Sequence, residues 1–222
     1  MTLIDPWPEH VEAIRGDGLS LEGITPEESV VAHPKTLHLT EAQHLSKERP
    51  IDIAFISMKS YDTEWATLMI RQYLAPTGYV VSLQNCINEE RIAGIVGWGR
   101  TVGAIAAILS AELYAPGKIR RPGGKNPPRH EVYRVGEVHG RIPGRIEELG
   151  RMIGTVDTCK VTDNLWGERW SKLCVLGFDI PHKRYIYLVL ARVEQIGGRL
   201  LQLVRTVLEC TARRWNLGRA VV

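Results

Sequence analysis

A chain of 222 residues, 44% hydrophobic and 24% charged with only four cysteines, has the composition of an ordinary folded protein, which excludes disorder, a collagen-like repeat and a disulfide scaffold. No run approaches the ~18 uninterrupted apolar residues of a membrane helix, and the opening MTLIDPWPEH lacks the basic and apolar blocks of a signal peptide, so a cytoplasmic protein without a membrane partner is expected. The net charge of +3 is unevenly spread: residues 1–180 hold 20 Lys and Arg against 23 Asp and Glu, and residues 181–222 hold 8 against 2.

The front two thirds alternate β-rich runs with amphipathic stretches, the pattern of a parallel sheet with crossover helices. Thr2 to Asp5 reads as the end of a strand, and Trp7 to Arg15 as a helix opened by Pro8 and ended at Gly16-Asp17-Gly18. Segments around LSLEG and TLHLT predict a small antiparallel excursion rather than another crossover. Ile51 to Ser57 is a buried strand, Asp62 to Leu74 a helix, Tyr79 to Leu83 a strand and Asn88 to Val96 a helix. Beyond Gly99 come strand-like pieces over 101–115 and 130–138, separated by the basic loop PGKIRRPGGKNPPR. Arg145 to Ile153 reads as a helix and 155–161 as a last strand, after which Asp163 caps a helix through NLWGERWSKL. Beyond Lys172 the chain is leucine-rich and reads as helical. The fold class is therefore α/β, with a domain boundary near residue 162: residues 1–162 form a Rossmann-like domain and 163–222 a short, mostly α-helical one.

Metal and nucleic-acid chemistry find little support. Cys86, Cys159, Cys174 and Cys210 form no C-x-x-C pair and no histidines take ligand spacing, so no metal site is expected. The arginines of the basic tail sit among leucines and valines, without an RNA-binding motif, so nucleic acid is not an expected partner.

Three strand ends attract attention, because ligands of open α/β sheets bind at the carboxyl ends of the strands. Asp5 ends a strand and precedes a helix, where a dinucleotide fold places the carboxylate that binds the adenosine ribose hydroxyls; a helix N-cap explains the same pattern. Lys59 follows AFISM and Asn85 follows VVSLQ, each open also to a plain reading as a solvated lysine or a turn residue. Lys172 lies late in its helix near Trp166 and Trp170, where partial desolvation would make it a proton donor near neutral pH; a lysine snorkelling to the surface fits equally. No G-x-G-x-x-G occurs anywhere, since GDG at 16–18 and GIVGWG at 94–99 have the wrong spacing.

Together, the pieces LID-WPEHVEAIR-GL, DIAFISMKSYDT, VVSLQNCINEERIA, RTVGAI, YRVGEVHGR and VTDNLWGERWSKL resemble the ketopantoate reductase (2-dehydropantoate 2-reductase) family through residues 2–174. The resemblance is most specific at the lysine after the third strand, the QN pair, Gly136-Glu137 and W-x-K-L. It implies a Rossmann-type domain binding NADPH (NADP, with NAD as the other candidate) and a helical domain. It also implies reduction of a 2-keto acid, ketopantoate, to the 2-hydroxy acid in pantothenate and coenzyme A biosynthesis. By resemblance Lys172 is the catalytic lysine, Lys59 and Asn85 lie beside cofactor and substrate, and Asp5 belongs to cofactor binding. A homodimer fits too, since the family commonly uses its helical domain for dimer contacts.

Several departures accompany the match. The family's first strand and glycine-rich loop are missing, so an incomplete parallel sheet is expected. Leu176 replaces an asparagine four residues after the catalytic lysine, and Cys86 stands at a common glycine, an exchange expected to be tolerated. The family's S-M-x-x-D segment is unrecognisable, although LVRTVLECTARRWNL resembles a later family helix through Arg205 and Glu209. The alternative reading is a non-catalytic fragment acting as a folded remnant or subunit partner.

Overall fold

The structure, a computed structural model, describes residues 1–107, 109–125 and 131–179. The chain divides into two compact units after Leu165. The first opens with strand β1 (Thr2–Asp5), helix α1 (Pro8–Asp17) and strands β2 (Leu19–Glu22), β3 (Val30–Ala32) and β4 (Lys35–His38). Then come β5 (Ile51–Ile56), α2 (Thr63–Arg71), β6 (Leu74–Ser82), α3 (Glu89–Val96) and β7 (Thr101–Ala106). The hairpin β8 (Glu112–Ala115) and β9 (Lys118–Arg120) precedes β10 (Tyr133–Glu137), α4 (Gly144–Gly154) and β11 (Cys159–Val161). Helix α5 (Leu165–Asp179) leads into the second unit. The helical stretch expected further on, with Arg205 and Glu209, lies outside the described residues.

Local sequence accounts for most of these elements. Pro8 occupies the first turn of α1 with Glu9, where a missing N–H costs nothing and a carboxylate suits the helix dipole. His10, Val11 and Ile14 recur at helical spacing as its buried face, and Gly18 at φ 86° ends it. Strands β5 and β6 form a parallel pair, and β6 pairs parallel with β7. Apolar side chains of β5 and β6 pack on α2 and α3 through Ala54, Ile56, Ala66, Ile70, Val80 and Ile92, and Leu37 of β4 joins the same cluster. On the other face, Val81, Val102, Ala104 and Val135 pack on Ile146, Leu149 and Ile153 of α4.

Among the described residues the strands fall into three sheets. The largest runs β11-β10-β7-β6-β5. Its polarity reverses once, because β10 lies antiparallel to β7 while β11 is parallel to β10. A four-stranded sheet, β3-β2-β9-β8, takes LSLEG as β2, antiparallel to β3 rather than to TLHLT, and β9 falls inside the stretch read from sequence as basic loop. The TLHLT segment departs from expectation: as β4 it pairs parallel with β1, residue for residue from Thr2–Lys35 to Asp5–His38, and so closes a crossover rather than a hairpin. These two strands form a sheet of their own, not hydrogen-bonded to β5.

Two glycines bring Leu165 into the large sheet. Gly103 of β7 and Gly136 of β10 are direct partners across the ladder. A Cβ at Gly103 would lie 2.5 Å from Leu165 Cδ2, and one at Gly136 would lie 2.7 Å from the Thr162 carbonyl oxygen. The gap they leave seats Leu165, which is 1% exposed. The next residue, Glu137, is buried too, and its Oε1 accepts from Arg145 Nε at 2.6 Å. Arg145 also covers the Tyr79 ring at 5.2 Å.

A second ion pair joins two of the sheets. Arg121, just beyond β9, donates its Nη2 to Asp157 between α4 and β11, with both side chains buried. The Arg121 backbone N–H is held by Glu22 O at 2.8 Å. Among the described residues no helix is long and apolar enough to cross a membrane.

Candidate functional site

Parallel pairing of β5 with β6 places the loops at their carboxyl ends side by side. The first loop carries Lys59, which is exposed, and continues into a 3₁₀ turn over Ser60–Asp62. The second carries Asn85 and Cys86, before α3 begins. Lys59 and Asn85 thus sit on neighbouring loops at carboxyl strand ends, the position the strand-end argument singles out.

What locks the loops together is the first residue of the QN pair, to which the sequence reading gave no structural role. Gln84 is buried, and its Nε2 donates to Met58 O at 2.8 Å, to Lys59 O at 3.5 Å and to Thr63 Oγ1 at 3.0 Å. Asn88, also buried, donates through Nδ2 to Ser60 Oγ at 3.1 Å and to Asn85 O at 2.9 Å. Ser60 Oγ donates in turn to Asn85 O at 3.4 Å, and Arg91 Nη1 donates to Ser60 O at 2.9 Å. Side chains from the second loop therefore satisfy backbone carbonyls of the first, so neither loop moves without breaking buried hydrogen bonds. The signal was available: a polar Gln directly after the apolar run YVVSL has to find partners once buried. Glu89, fully buried at the start of α3, accepts the Asn88 N–H at 3.1 Å through Oε2.

Cys86 adopts φ 68°, among the described non-glycine residues the one with a positive φ. The left-handed conformation costs an L-residue about 1–2 kcal/mol, so the exchange read as tolerated is accommodated against a backbone preference. Cys86→Gly is expected to stabilise the protein by about 0.5–1 kcal/mol after glycine's extra chain entropy is counted. Thermal unfolding should show a rise of about 1–4 °C. No rise would mean that the loop relaxes around the cysteine.

The ribose-side candidate lies on the smaller sheet. Asp5 ends β1 beside His38, its partner at the end of β4. Its Oδ1 accepts the Trp7 N–H at 2.8 Å, an Asx-type turn that leads into α1, whose N-cap residue is Trp7 rather than Asp5. His38 Nε2 lies 2.5 Å from Glu12 Oε1, and its backbone N–H donates to Glu41 Oε2 at 2.9 Å. That bond, with Arg15 beyond it, holds the Glu41 carboxyl below the usual carboxylate range.

Lys172 is partly exposed on α5 and belongs to the second unit. An open groove at the far edge of the large sheet, lined by Gly150, Arg151, Gly154 and Cys159, offers no competing chemistry. Burial pushes the Cys159 thiol up to about 11, leaving it protonated and a poor nucleophile at neutral pH. Among the described residues no group of three His, Cys, Asp or Glu could hold a metal ion.

Comparison with known proteins now gives the arrangement a family. Residues 1–126 match the sequence family described as ketopantoate reductase PanE/ApbA, more than half of the chain. The chain belongs to the ketopantoate reductase PanE/ApbA family. Its fold is similar to that of 2-dehydropantoate 2-reductase from Geobacter metallireducens GS-15, at 27% identity and a TM-score of 0.62, covering 77% of this chain and 53% of that one. The enzyme of the same name from Porphyromonas gingivalis W83 shares 19% identity with a TM-score of 0.62, over 78% of this chain and 56% of that one. A D-mandelate dehydrogenase, solved with NADH and anilino(oxo)acetate, shares 19% identity at a TM-score of 0.67, over 94% of this chain and 71% of that one. The chain thus spans about half the length of the 2-dehydropantoate 2-reductase structures it matches.

Membership implies a nicotinamide cofactor, and the residues of this ketopantoate reductase relative fit it in part. Lys59 and Asn85 lie at the carboxyl strand ends where ligands of open α/β sheets bind, and Asp5 ends β1. No glycine-rich turn of the required spacing occurs in the sequence, so no residue here is assigned to the pyrophosphate.

Proposed function

We propose that this family member serves NAD(P)H-dependent reduction of a 2-keto acid to a 2-hydroxy acid. The observation that carries the reading is the Lys59–Asn85 rim, set at adjacent carboxyl strand ends by Gln84, Asn88 and Ser60 in a chain of this family. The substrate class draws support from the fold relatives, whose names include both a 2-dehydropantoate 2-reductase and a mandelate dehydrogenase solved with an oxo-acid. Those substrates share a ketone beside a carboxylate.

When bound, the cofactor supplies hydride to the ketone carbon. Asn85 orients a carbonyl or hydroxyl through its amide, and the Lys59 ammonium offsets the substrate carboxylate's charge. Lys172 donates a proton to the ketone oxygen as negative charge develops there. Asp5 accepts from ribose hydroxyls and repels a 2′-phosphate, and Pro6 stands where an arginine would bind that phosphate. The cofactor preference therefore leans toward NADH relative to the family's usual NADPH.

Fluorescence titration with NADH and with NADPH tests this directly. Saturable binding of NADH at least as tight as NADPH is expected, weakened about tenfold by Asn85→Ala, the scale of one lost ligand hydrogen bond. A strong NADPH preference would overturn the role given to Asp5. Binding of neither cofactor would favour the non-catalytic subunit-partner reading.

A further inference from the structure

Asp5 and His38 are partners in the parallel β1–β4 ladder, so their side chains project from one face of neighbouring strands about 4.8 Å apart. Helix α1 lies over that face. Its entry residue, Trp7, donates its N–H to Asp5 Oδ1, and Glu12 on its second turn sets Oε1 2.5 Å from His38 Nε2. The lateral neighbour of Asp5 is therefore an imidazole, and that side chain is 23% exposed, open to solvent at the strand end.

The charges around His38 are fixed in place. Arg15 donates Nε and Nη2 to Thr36 O at 3.0 and 2.9 Å, and from there its guanidinium reaches Glu12 at 3.1 Å and also Glu41. Glu41, in the 3₁₀ helix Leu39–Lys47, accepts the His38 N–H. The elements packed against β4 are β1, α1 and this 3₁₀ helix, and the charged groups they bring to His38 are Asp5, Glu12, Arg15 and Glu41. The bond from His38, with Arg15 beside it, holds the Glu12 carboxyl below the usual carboxylate range, so Glu12 stays ionised. With His38 neutral, three carboxylates stand against one guanidinium. Histidine is the side chain that ordinarily gains its charge between pH 8 and 5, and a proton on His38 adds a second cation to the set.

We propose that His38 sets which nicotinamide cofactor this site accepts: neutral, it leaves the surroundings of Asp5 negative and hostile to a 2′-phosphate, and protonated, it supplies the cation that offsets one. The inference rests on the reading of Asp5 as the ribose carboxylate. Dinucleotide folds that take NADP place an arginine near that position, and here Pro6 follows Asp5. Arg15 does not serve, because Thr36, Glu12 and Glu41 engage its guanidinium. His38 is the group at this strand end whose charge can change, and a charge-assisted bond from imidazolium to phosphate is the contact it offers. The preference for NAD over NADP thus relaxes as pH falls.

Calorimetric titration of the whole chain with oxidised NAD and NADP, at about pH 8 and about pH 6, either side of histidine's ordinary range, tests this without turnover. In the parent the ratio of the NADP to the NAD dissociation constant is expected to fall about tenfold on acidification, the scale of one charge acting on a doubly charged phosphate across a screened gap. In His38→Gln, whose amide still reaches toward Glu12 but takes up no proton, it should fall no more than about threefold, the share left to the phosphate's own titration near pH 6. His38→Lys, charged at both pH values, is expected to show the low ratio already at about pH 8. A ratio that ignores pH in the parent, or falls equally in His38→Gln, overturns the proposal, and so does a His38→Lys ratio equal to the parent's at about pH 8. Each of these leaves the reductase reading standing. Binding of neither cofactor overturns both.

Discussion

Arg121→Ala is expected to destabilise the protein by about 3–5 kcal/mol, the scale for removing one partner of a buried ion pair. The Asp157 carboxylate is fully buried, so water cannot take the place of the guanidinium. The pair also ties the loop after β9 to the segment between α4 and β11, and with it one sheet to another. Adding Asp157→Asn to Arg121→Ala should recover part of the loss. The amide removes the uncompensated charge while its oxygen still accepts the Thr158 N–H, as Asp157 Oδ1 does at 2.7 Å. Urea unfolding checks both variants through the midpoint, with the slope unchanged. A loss below about 1 kcal/mol, the range of exposed pairs, would mean that solvent reaches the site.

Lys172→Ala is expected to lower turnover with a 2-keto acid by about 10²-fold or more, the usual contribution of a general acid. The expectation comes from the role proposed for the lysine of Trp170-Ser171-Lys172-Leu173. Cofactor affinity, read by nicotinamide fluorescence, should stay close to the parent's, because a proton donor acts in the chemical step. Lys172→Arg should rescue poorly, since guanidinium keeps the charge but holds its proton far more tightly. Undiminished turnover in Lys172→Ala would remove the lysine from the mechanism.

Local pattern makes much of this fold legible in the sequence. IDIAFI, the Pro8 helix start and the Gly18 stop arise from short-range chemistry, and the structure places β5 and α1 there. The strand-end rule likewise points to Lys59 and Asn85 from the apolar runs that precede them. Long-range pairing is not legible in the same way. KTLH alternates like any half-exposed strand, and only contact with β1 across an intervening helix and two strands makes it parallel. Strand β9 hides among prolines, glycines and arginines because its partners β2 and β8, not its own residues, set its conformation. The QN pair stands out in the sequence, but the role of Gln84 does not, because its bonds go to carbonyls more than twenty residues away. Gly136-Glu137 stands out as a motif in the sequence, but its reason lies in Gly103 opposite and Arg145 beside it.

The seat that Gly103 and Gly136 make for Leu165 has an evolutionary consequence. Positions 103 and 165, distant in sequence, share one fixed volume, so they should drift as a pair rather than singly. A methyl gained at Gly103 has room only if the residue at 165 shrinks, whereas one at Gly136 meets the Thr162 carbonyl oxygen whatever stands at 165. In a lineage of related sequences, alanine at position 103 should therefore travel with valine or alanine at 165, while position 136 should stay glycine. Lineages that keep both glycines should keep a leucine-sized side chain at 165. Such trading would register the entry to α5 as a single inherited character, readable from substitutions alone.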